Sequence, residues 1–442
     1  MRTVSRVSRL RGFYARSFVL RGCAVLLVIC FLAPFLVHSF SSSRLPPRHY
    51  SVGPAPKLPE SCPQLFPPVS LDNKSFCTGT CKSDCFPRVR DICFSANKIK
   101  LCHGAIGRPR YGKLGGHGYL PNTEDPTLPE FMRFHGELLT VRFEYAECNE
   151  GWHWIDGLAA VADQRFLPYK KPNPHHEAEK LIPAVLLERK FGPTLHWFST
   201  REEVSEWGKG FLLALGMEKK VRYMNLPSRE DDSICFHDAI LLSAPTNLLY
   251  IPDQSTNQWL RGQVMEYCQL LHENSSWPIS KAIVLDRLVG PRRLGNKRQI
   301  GDLVSQRLDV PVEHKLSGLG SFCEQVAPVT QADLFVVPHG SQNVVMLFAR
   351  PGAIIIEVFP HLFHTTALRN FTHAAEVNVY SVLGLLPPGD WKLWFFSMFG
   401  WDFCYYHMRL CKNYARRQPI YADLLELERV LGVIQRANGS FA

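Results

Sequence analysis

The chain has 442 residues, 46% apolar and 20% charged, with a formal net charge of +10. That length holds two domains, and that balance is globular, which excludes a disordered or fibrous chain. Six arginines in the first 21 residues carry most of the charge and leave +4 spread over the body, which is no nucleic-acid footprint.

Residues 1–21 read as a cytoplasmic tail. Residues 22–37 (GCAVLLVICFLAPFLV) carry no charge and follow the apolar Phe18-Val19-Leu20. Arginines before this run and a Ser/Pro-rich stretch after it predict a type II signal anchor with a luminal body. The run is short for a plasma membrane but suits a thin early-secretory bilayer, so the expected location is the Golgi or ER membrane. A cleaved signal peptide competes with this reading, although no small-x-small cleavage site is evident. Residues 38–70 are rich in Ser and Pro, cannot bury a core, and read as a stem.

Residues 71–135 read as a disulfide-rich luminal region of loops and short strands. Six cysteines, Cys62, Cys77, Cys81, Cys85, Cys93 and Cys102, crowd into 62–102, and outside the apolar run the cysteine number is even. The spacing of Cys77, Cys81 and Cys85 matches no zinc knuckle. Sequons at Asn73, Asn274, Asn370 and Asn438 fit a glycosylated luminal body.

Alternation of strand and helix begins near 136. The patterns predict strands at 137–144, 159–166, 195–199 and 221–224, with helices at 178–191 and 204–215. Residues 136–225 therefore read as one layered α/β domain. A second alternation follows over 226–385. It has strands or lead-ins at 247–251, 281–286, 310–316, 334–337 and 353–358, and helices at 259–271, 299–308, 322–326 and after Ser341. The runs 334–337 and 353–358 are apolar throughout, as parallel strands covered on both faces are. Residues 386–442 form an aromatic-rich helical tail with a final helix at 420–436, in which Cys404 and Cys411 are close enough to pair.

Three places carry candidate chemistry. The strand 282–286 ends in Arg287-Leu288-Val289-Gly290-Pro291-Arg292-Arg293-Leu294-Gly295-Asn296. Guanidinium groups in such a loop can grip a diphosphate, or the loop is simply a solvated basic turn. The strand 334–337 ends in Pro338-His339-Gly340-Ser341-Gln342, where an open α/β sheet places ligands and a following helix favours anions. Both loops leave one sheet, so both open on one edge. Glu357 sits in an apolar strand and needs a partner, either a ribose diol or a structural cation. His176 and Glu179 share a helix face in Asn173-Pro174-His175-His176-Glu177-Ala178-Glu179, a general-base arrangement or a surface cluster. No D-x-D ends an apolar run, so no metal-held diphosphate is expected, and GxGxxG, GxxxxGK[ST], GxSxG and HExxH are all missing.

Taken in order, these motifs resemble glycosyltransferase family 61. The resemblance covers roughly 170–385. It rests on N-P-x-H-x-x-E (Asn173 to Glu179), Cys235-Phe236, R-x4-R-R-x2-N (Arg287 to Asn296), H-G-x4-V-x-L-F (His339 to Phe348) and P-G-A-x3-E-x-F-P (Pro351 to Pro360). It implies a GT-B fold, two Rossmann-like domains facing across a cleft. It also implies an inverting, largely metal-independent transfer from a UDP-sugar, xylose or GlcNAc, to a glycan or glycoprotein. By position, Arg287, Arg292 and Arg293 would hold the diphosphate, and His339, Gly340 and Ser341 would line the donor site. Glu357 would contact the nucleoside, and His176 or Glu179 would serve as base. No cofactor is implied beyond the donor. Glu179 stands where the family usually has Asp, Gln342 where it often has Gly, and Val345 where it often has Asn or His. A non-catalytic glycan-binding or scaffold protein that keeps the fold is the alternative.

Overall fold

In the computed structural model the described residues are 75–77, 85–95, 98–102, 113–114, 118–119, 131–134, 137–146, 148–162, 173–191, 196–199, 205–224, 232–241, 251, 253–270, 278–288, 290–318, 320–365, 368 and 372–439. The expected anchor at 22–37, the stem and the sequons at Asn73, Asn274 and Asn370 lie outside them. Asn438 falls on the last turn of the final helix, with its side chain also outside. Among the described residues no helix is long and apolar enough to cross a membrane.

The protein is mixed α/β, built on two large sheets. The strands are β1 (Ser75–Cys77), β2 (Cys85–Phe94), β3 (Lys98–Cys102), β4 (Lys113–Leu114), β5 (Gly118–Tyr119), β6 (Phe131–Phe134), β7 (Glu137–Ala146), β8 (His153–Ala162), β9 (His196–Ser199), β10 (Val221–Tyr223) and β11 (Ile234–Leu241) in the first half. The second half supplies β12 (Ala282–Arg287), β13 (Val312–Ser317), β14 (Leu334–Pro338), β15 (Ile354–Phe359), β16 (Asn378–Leu385) and β17 (Tyr421–Ala422). The helices used below are α1 (Pro174–Phe191), α2 (Glu206–Ala214), α3 (Gln254–Tyr267), α4 (Lys297–Leu308), α5 (Phe322–Val326), α6 (Trp391–Ser397), α7 (Arg409–Ala415) and α8 (Leu424–Gly439).

The first sheet runs β10-β9-β8-β11-β2-β3-β7-β6, with β1 paired to β2. Its β10-β9-β8-β11 block is parallel throughout. Numbered along the chain that block has the order 3-2-1-4, which reverses between β8 and β11. The second sheet runs β13-β12-β14-β15-β16-β17. Its first five strands are parallel and β17 closes the edge antiparallel. That order is 2-1-3-4-5, with the reversal between β12 and β14. Ligands of doubly wound sheets bind at the carboxyl ends of strands beside such a reversal.

Side-chain alternation divides the second sheet into two covered faces. Ile283, Leu285, Phe335, Val337 and Ile355 pack with α1, α2, α3 and α5. Ala282, Val284, Leu334, Val336, Ile354 and Ile356 pack with α4 and α8. The first core is therefore continuous from Ala160 and Ile240 of the first sheet, through the helices, onto the second sheet. Gly210 of α2 lets this approach happen, since a Cβ there would stand 2.0 Å from Phe322 Cβ. Trp207, Phe211, Phe322 and Phe348 pack ring against ring at that crossing. Four disulfides add covalent ties among the described residues: Cys93–Cys235, Cys102–Cys148, Cys268–Cys323 and the expected Cys404–Cys411.

Several elements differ from the sequence expectation. β8 starts at His153 rather than 159. The sequence pattern predicts no strand at β11, whose two-residue period is broken by a bulge between Phe236 and Asp238. Helix α1 starts at Pro174, four residues early, because Asn173 Oδ1 accepts from His175 N at 3.2 Å. Helix α3 spans 254–267 rather than 259–271, with Asp253 as its cap. Residues 341–348 form a 3-10 helix. Gln342 Nε2 and Asn343 Nδ2 both donate to Pro338 O at 3.1 Å, which draws the first turn tightly back on the strand. The final helix starts at Leu424, not 420, because Tyr421 and Ala422 pair with β16 and Asp423 caps it.

Candidate active site

The arginine loop is built around Asp286. This carboxylate ends the buried part of β12 and is 2% exposed. Its Oδ1 accepts from Arg287 N at 2.8 Å and from Leu294 N at 2.9 Å, and its Oδ2 meets Lys297 Nζ at 3.2 Å. One side chain thus clamps both ends of the turn. Between the clamps Gly290 has φ 87° and Arg292 has φ 66°, left-handed values that a residue with a side chain adopts at some cost. Arg287 Nη1 donates to Pro291 O at 3.0 Å within the turn.

Downstream, the loop is bolted to the C-terminal segment. Arg293 O accepts from Ile420 N at 2.8 Å and Gly295 N donates to Ile420 O at 2.8 Å. Asn296 bonds both the N–H and the carbonyl of Ala422 at 2.9 Å. Gly295 is required here, because a Cβ would lie 2.5 Å from the Tyr421 ring.

Facing this loop, at the ends of β14 and β15, is a buried acid–imidazole pair. Glu357, 2% exposed, shares the sheet face of Ile355 and stands in register with Val337 and Ser381. Its Oε1 lies 2.8 Å from His339 Nδ1 and 3.4 Å from Asn343 Nδ2. The His339 ring stacks on Phe359 at 5.0 Å and leans on Phe363 at 5.3 Å. Burial raises the Glu357 carboxyl to about 8, against the opposing pull of His364 and the Asn343 bond. Burial also holds His339 well below its usual value, reinforced by Arg292, by the neighbouring His175, and by Arg416 and Arg287. Both shifts favour the uncharged forms, so the pair is neutral at pH 7. The carboxyl O–H then donates to Nδ1 and leaves His339 Nε2 as an N–H donor.

Arg287, Arg292, His339 and Glu357 are therefore brought together. Gly340 and Ser341 open the 3-10 turn beside them, and Ser341 is half-buried. Arg293 is exposed, and its backbone serves the Ile420 tie. At the mouth stands the N-terminus of α1, whose His175 acts electrostatically on both His339 and Glu357. His176 is half-buried and packs edge-on against His175 at 5.2 Å. Glu179 lies on α1 with its side chain outside the described residues. Glu177 is structural: it accepts from Ser205 N at 2.8 Å and from Ser205 Oγ, fixing the cap of α2.

Sequence reasoning missed Asp286, Asn343, His175, His364 and Arg416. His175 was legible in principle, since the first turn of a capped helix after a strand end is where a βα ligand loop points. Arg416 and His364 come from the tail and from the segment after β15, and nothing local marks them.

The observed constellation has two guanidiniums at one strand end and a neutral histidine donor at the next. A helix N-terminus stands opposite, all at the reversal of a doubly wound sheet. It can bind a polyanion and hold it in a partly dry place. A family model, Glycosyltransferase 61, matches residues 133–356, just over half the chain. The chain belongs to glycosyltransferase family 61. It is an enzyme that transfers a sugar from a donor to a glycan acceptor. Among curated proteins none matches the chain. The matched span takes in the α1 motif, the arginine loop, the His339 turn and β15 as far as the residue before Glu357.

Proposed function

We propose that this glycosyltransferase is an inverting enzyme that moves xylose or GlcNAc from a UDP-sugar to a hydroxyl of a glycan or glycoprotein in the secretory lumen. On this reading the body stands in the Golgi or ER lumen, held by the apolar run at 22–37. The convergence of Arg287 and Arg292 with His339 at the β12/β14 reversal carries the reading, because it is suited to a diphosphate. Guanidiniums there supply the charge that a divalent cation would otherwise supply, so a metal is not required. The 3-2-1-4 and 2-1-3-4-5 strand orders, with α1 leaving the first sheet toward the His339 turn, support a GT-B arrangement.

In the proposed step an acceptor hydroxyl attacks the sugar's C1 from the face opposite the diphosphate. Its oxygen forms the new bond while the C1–O bond to UDP breaks. The proton passes to a base on α1, for which His176 and Glu179 are the candidates. The electron pair leaves with UDP, whose growing charge Arg287 and Arg292 offset, while Arg293, exposed, would have to turn inward to join them. His339, Gly340 and Ser341 line the donor, and Glu357 reaches the nucleoside or orients His339.

Thermal denaturation with UDP tests the donor site, since a ligand that binds the native state raises the midpoint. UDP should stabilise the protein in EDTA as well as in Mn²⁺, and Arg292→Ala should cut the shift. Absence of any UDP-dependent shift in either medium would remove the donor assignment. UDP release from UDP-xylose and UDP-GlcNAc then identifies the sugar.

A further inference from the structure

The tail that supplies Arg416 to the site also carries an apolar surface that the transfer reaction does not use. Helix α6 buries Leu393 completely, and Ser397 Oγ bonds His361 Nε2 at 2.9 Å. Its opposite face presents Trp391, Trp394, Phe395 and, one residue past its end, Met398, at positions i, i+3, i+4 and i+7. Trp391 is 68% and Trp394 57% exposed. Further along, Tyr406 and Leu410 are 67% and 72% exposed. Ring contacts run on from each part. Phe395 meets Phe399 at 5.3 Å, Phe399 meets Phe403 at 5.7 Å, and Trp401 meets Tyr406 at 5.7 Å. The Tyr414 hydroxyl bond to Asp390, the cap of α6, ties α7 to α6, and the Cys404–Cys411 disulfide ties α7 to the turn before it.

Exposed apolar patches of this kind mark a contact surface. Charge identifies the partner. Residues 386–418 carry Lys392, Arg409, Lys412, Arg416 and Arg417 against Asp390 and Asp402. Lys392, Arg409 and Arg417 are exposed, Lys392 beside Trp391 and Arg409 beside Leu410 in the chain. Lys392 lies 5.7 Å over the Trp391 ring, an apolar body with a cationic rim. Tryptophan and tyrosine with a basic rim suit the headgroup level of a bilayer, and Leu410 and Met398 have nothing to offer a sugar hydroxyl. We propose that the 391–410 face docks on an anionic membrane surface and forms a membrane contact independent of the N-terminal run. Docking there would set the site, reached from this tail through the His364–Trp401 and Phe363–Tyr405 ring pairs, at a fixed tilt above the bilayer.

All nine tryptophans lie between 152 and 401, none in the N-terminal run, so tryptophan quenching reports the body even when the full chain is anchored. The full chain is reconstituted into phosphatidylcholine vesicles with and without phosphatidylserine, each containing acyl-brominated lipid. Quenching is expected to be stronger with phosphatidylserine and to fall at least about twofold in Trp391→Ser/Trp394→Ser, whose thermal midpoint and UDP release serve as folding controls. Arg409→Glu/Arg417→Glu keeps the tryptophans and should remove the phosphatidylserine dependence, about fivefold in binding per basic residue lost. Equal quenching in wild type and the tryptophan variant overturns the proposal. So does protection of these tryptophans by soluble glycan, or by a second copy in a cross-linked dimer, without lipid quenching.

Discussion

Asp286→Ala tests the architecture of the donor loop. The substitution removes the acceptor of two backbone N–H groups, Arg287 N and Leu294 N, and the partner of Lys297. Leu294 is buried, so its N–H finds no water in exchange. An orphaned buried donor costs about 1–3 kcal/mol, and Arg287 N, half-buried, adds less, so the loss is about 1–4 kcal/mol. Lys297 is a third exposed and adds little beyond this. The same bonds hold Arg292 in its left-handed conformation, which by itself costs about 1 kcal/mol. Once released, the loop relaxes and at least one guanidinium loses its aim. A charge-assisted bond is worth about 1.5–3 kcal/mol, so UDP affinity should fall roughly ten- to a hundredfold. Calorimetric titration of UDP, run beside thermal denaturation, reads both effects. Asp286→Asn, which keeps one oxygen, should fall between wild type and alanine in both. Unchanged UDP affinity in a destabilised Asp286→Ala protein would show that the loop does not form the donor site. An unchanged midpoint would show that Asp286 does not clamp the loop.

Three further outcomes follow from the buried pair and the packing. Glu357 takes up a proton more readily in the native state than in the unfolded chain, so its contribution favours the fold below pH 4.5 and is lost as pH rises toward 8. His339 resists protonation in the native state, so its contribution is complete above pH 6.5 and shrinks as pH falls below that. The two slopes oppose each other between 4.5 and 6.5, and only the Glu357 slope remains from 6.5 to 8. The thermal midpoint should therefore fall across pH 6.5–8 in wild type and stay level in Glu357→Gln; equal slopes in the two proteins would refute the pairing. Gly210→Ala drives a Cβ into Phe322 and should cost about 1–3 kcal/mol or more in denaturant titration. By contrast Gly262→Ala, in open space on α3, should stabilise by about 0.5–1 kcal/mol.

The second sheet was largely legible because its strands are covered on both faces. Apolar runs such as Leu334–Val337 and Ile354–Ile356 have no other use in a polar-bounded segment. The first sheet was less so. β11 interrupts its own alternation with a bulge that leaves His237 exposed between the buried Phe236 and the half-buried Asp238. Its place beside β2 is fixed by Cys93 and Cys235, partners far apart in the chain whose pairing no spacing rule supplies. At the site, the arginines and Glu357 stood out as charges in apolar company. Asp286 did not, since an acid at a strand end looks like any solvated turn until its backbone partners are seen. The choice between His175 and His176 depends on helix phase at a capped terminus, where a single residue turns the side chain by about 100°.

The unbroken core beneath α1, α2 and α3 also limits how the enzyme can move. Swinging the two sheets apart as rigid halves would strip Trp207, Phe211, Phe322 and Phe348 from one another, at about 1.5–3 kcal/mol for each ring exposed. The Cys268–Cys323 disulfide ties the end of α3 to α5 beside this packing. Wide hinge opening is then a rare excursion rather than a step in each turnover. Traffic of donor and UDP falls to the rim, to the segments after β12 and β15 and to the tail. Turnover should accordingly respond more to substitutions in those loops than to anything that loosens the packed centre.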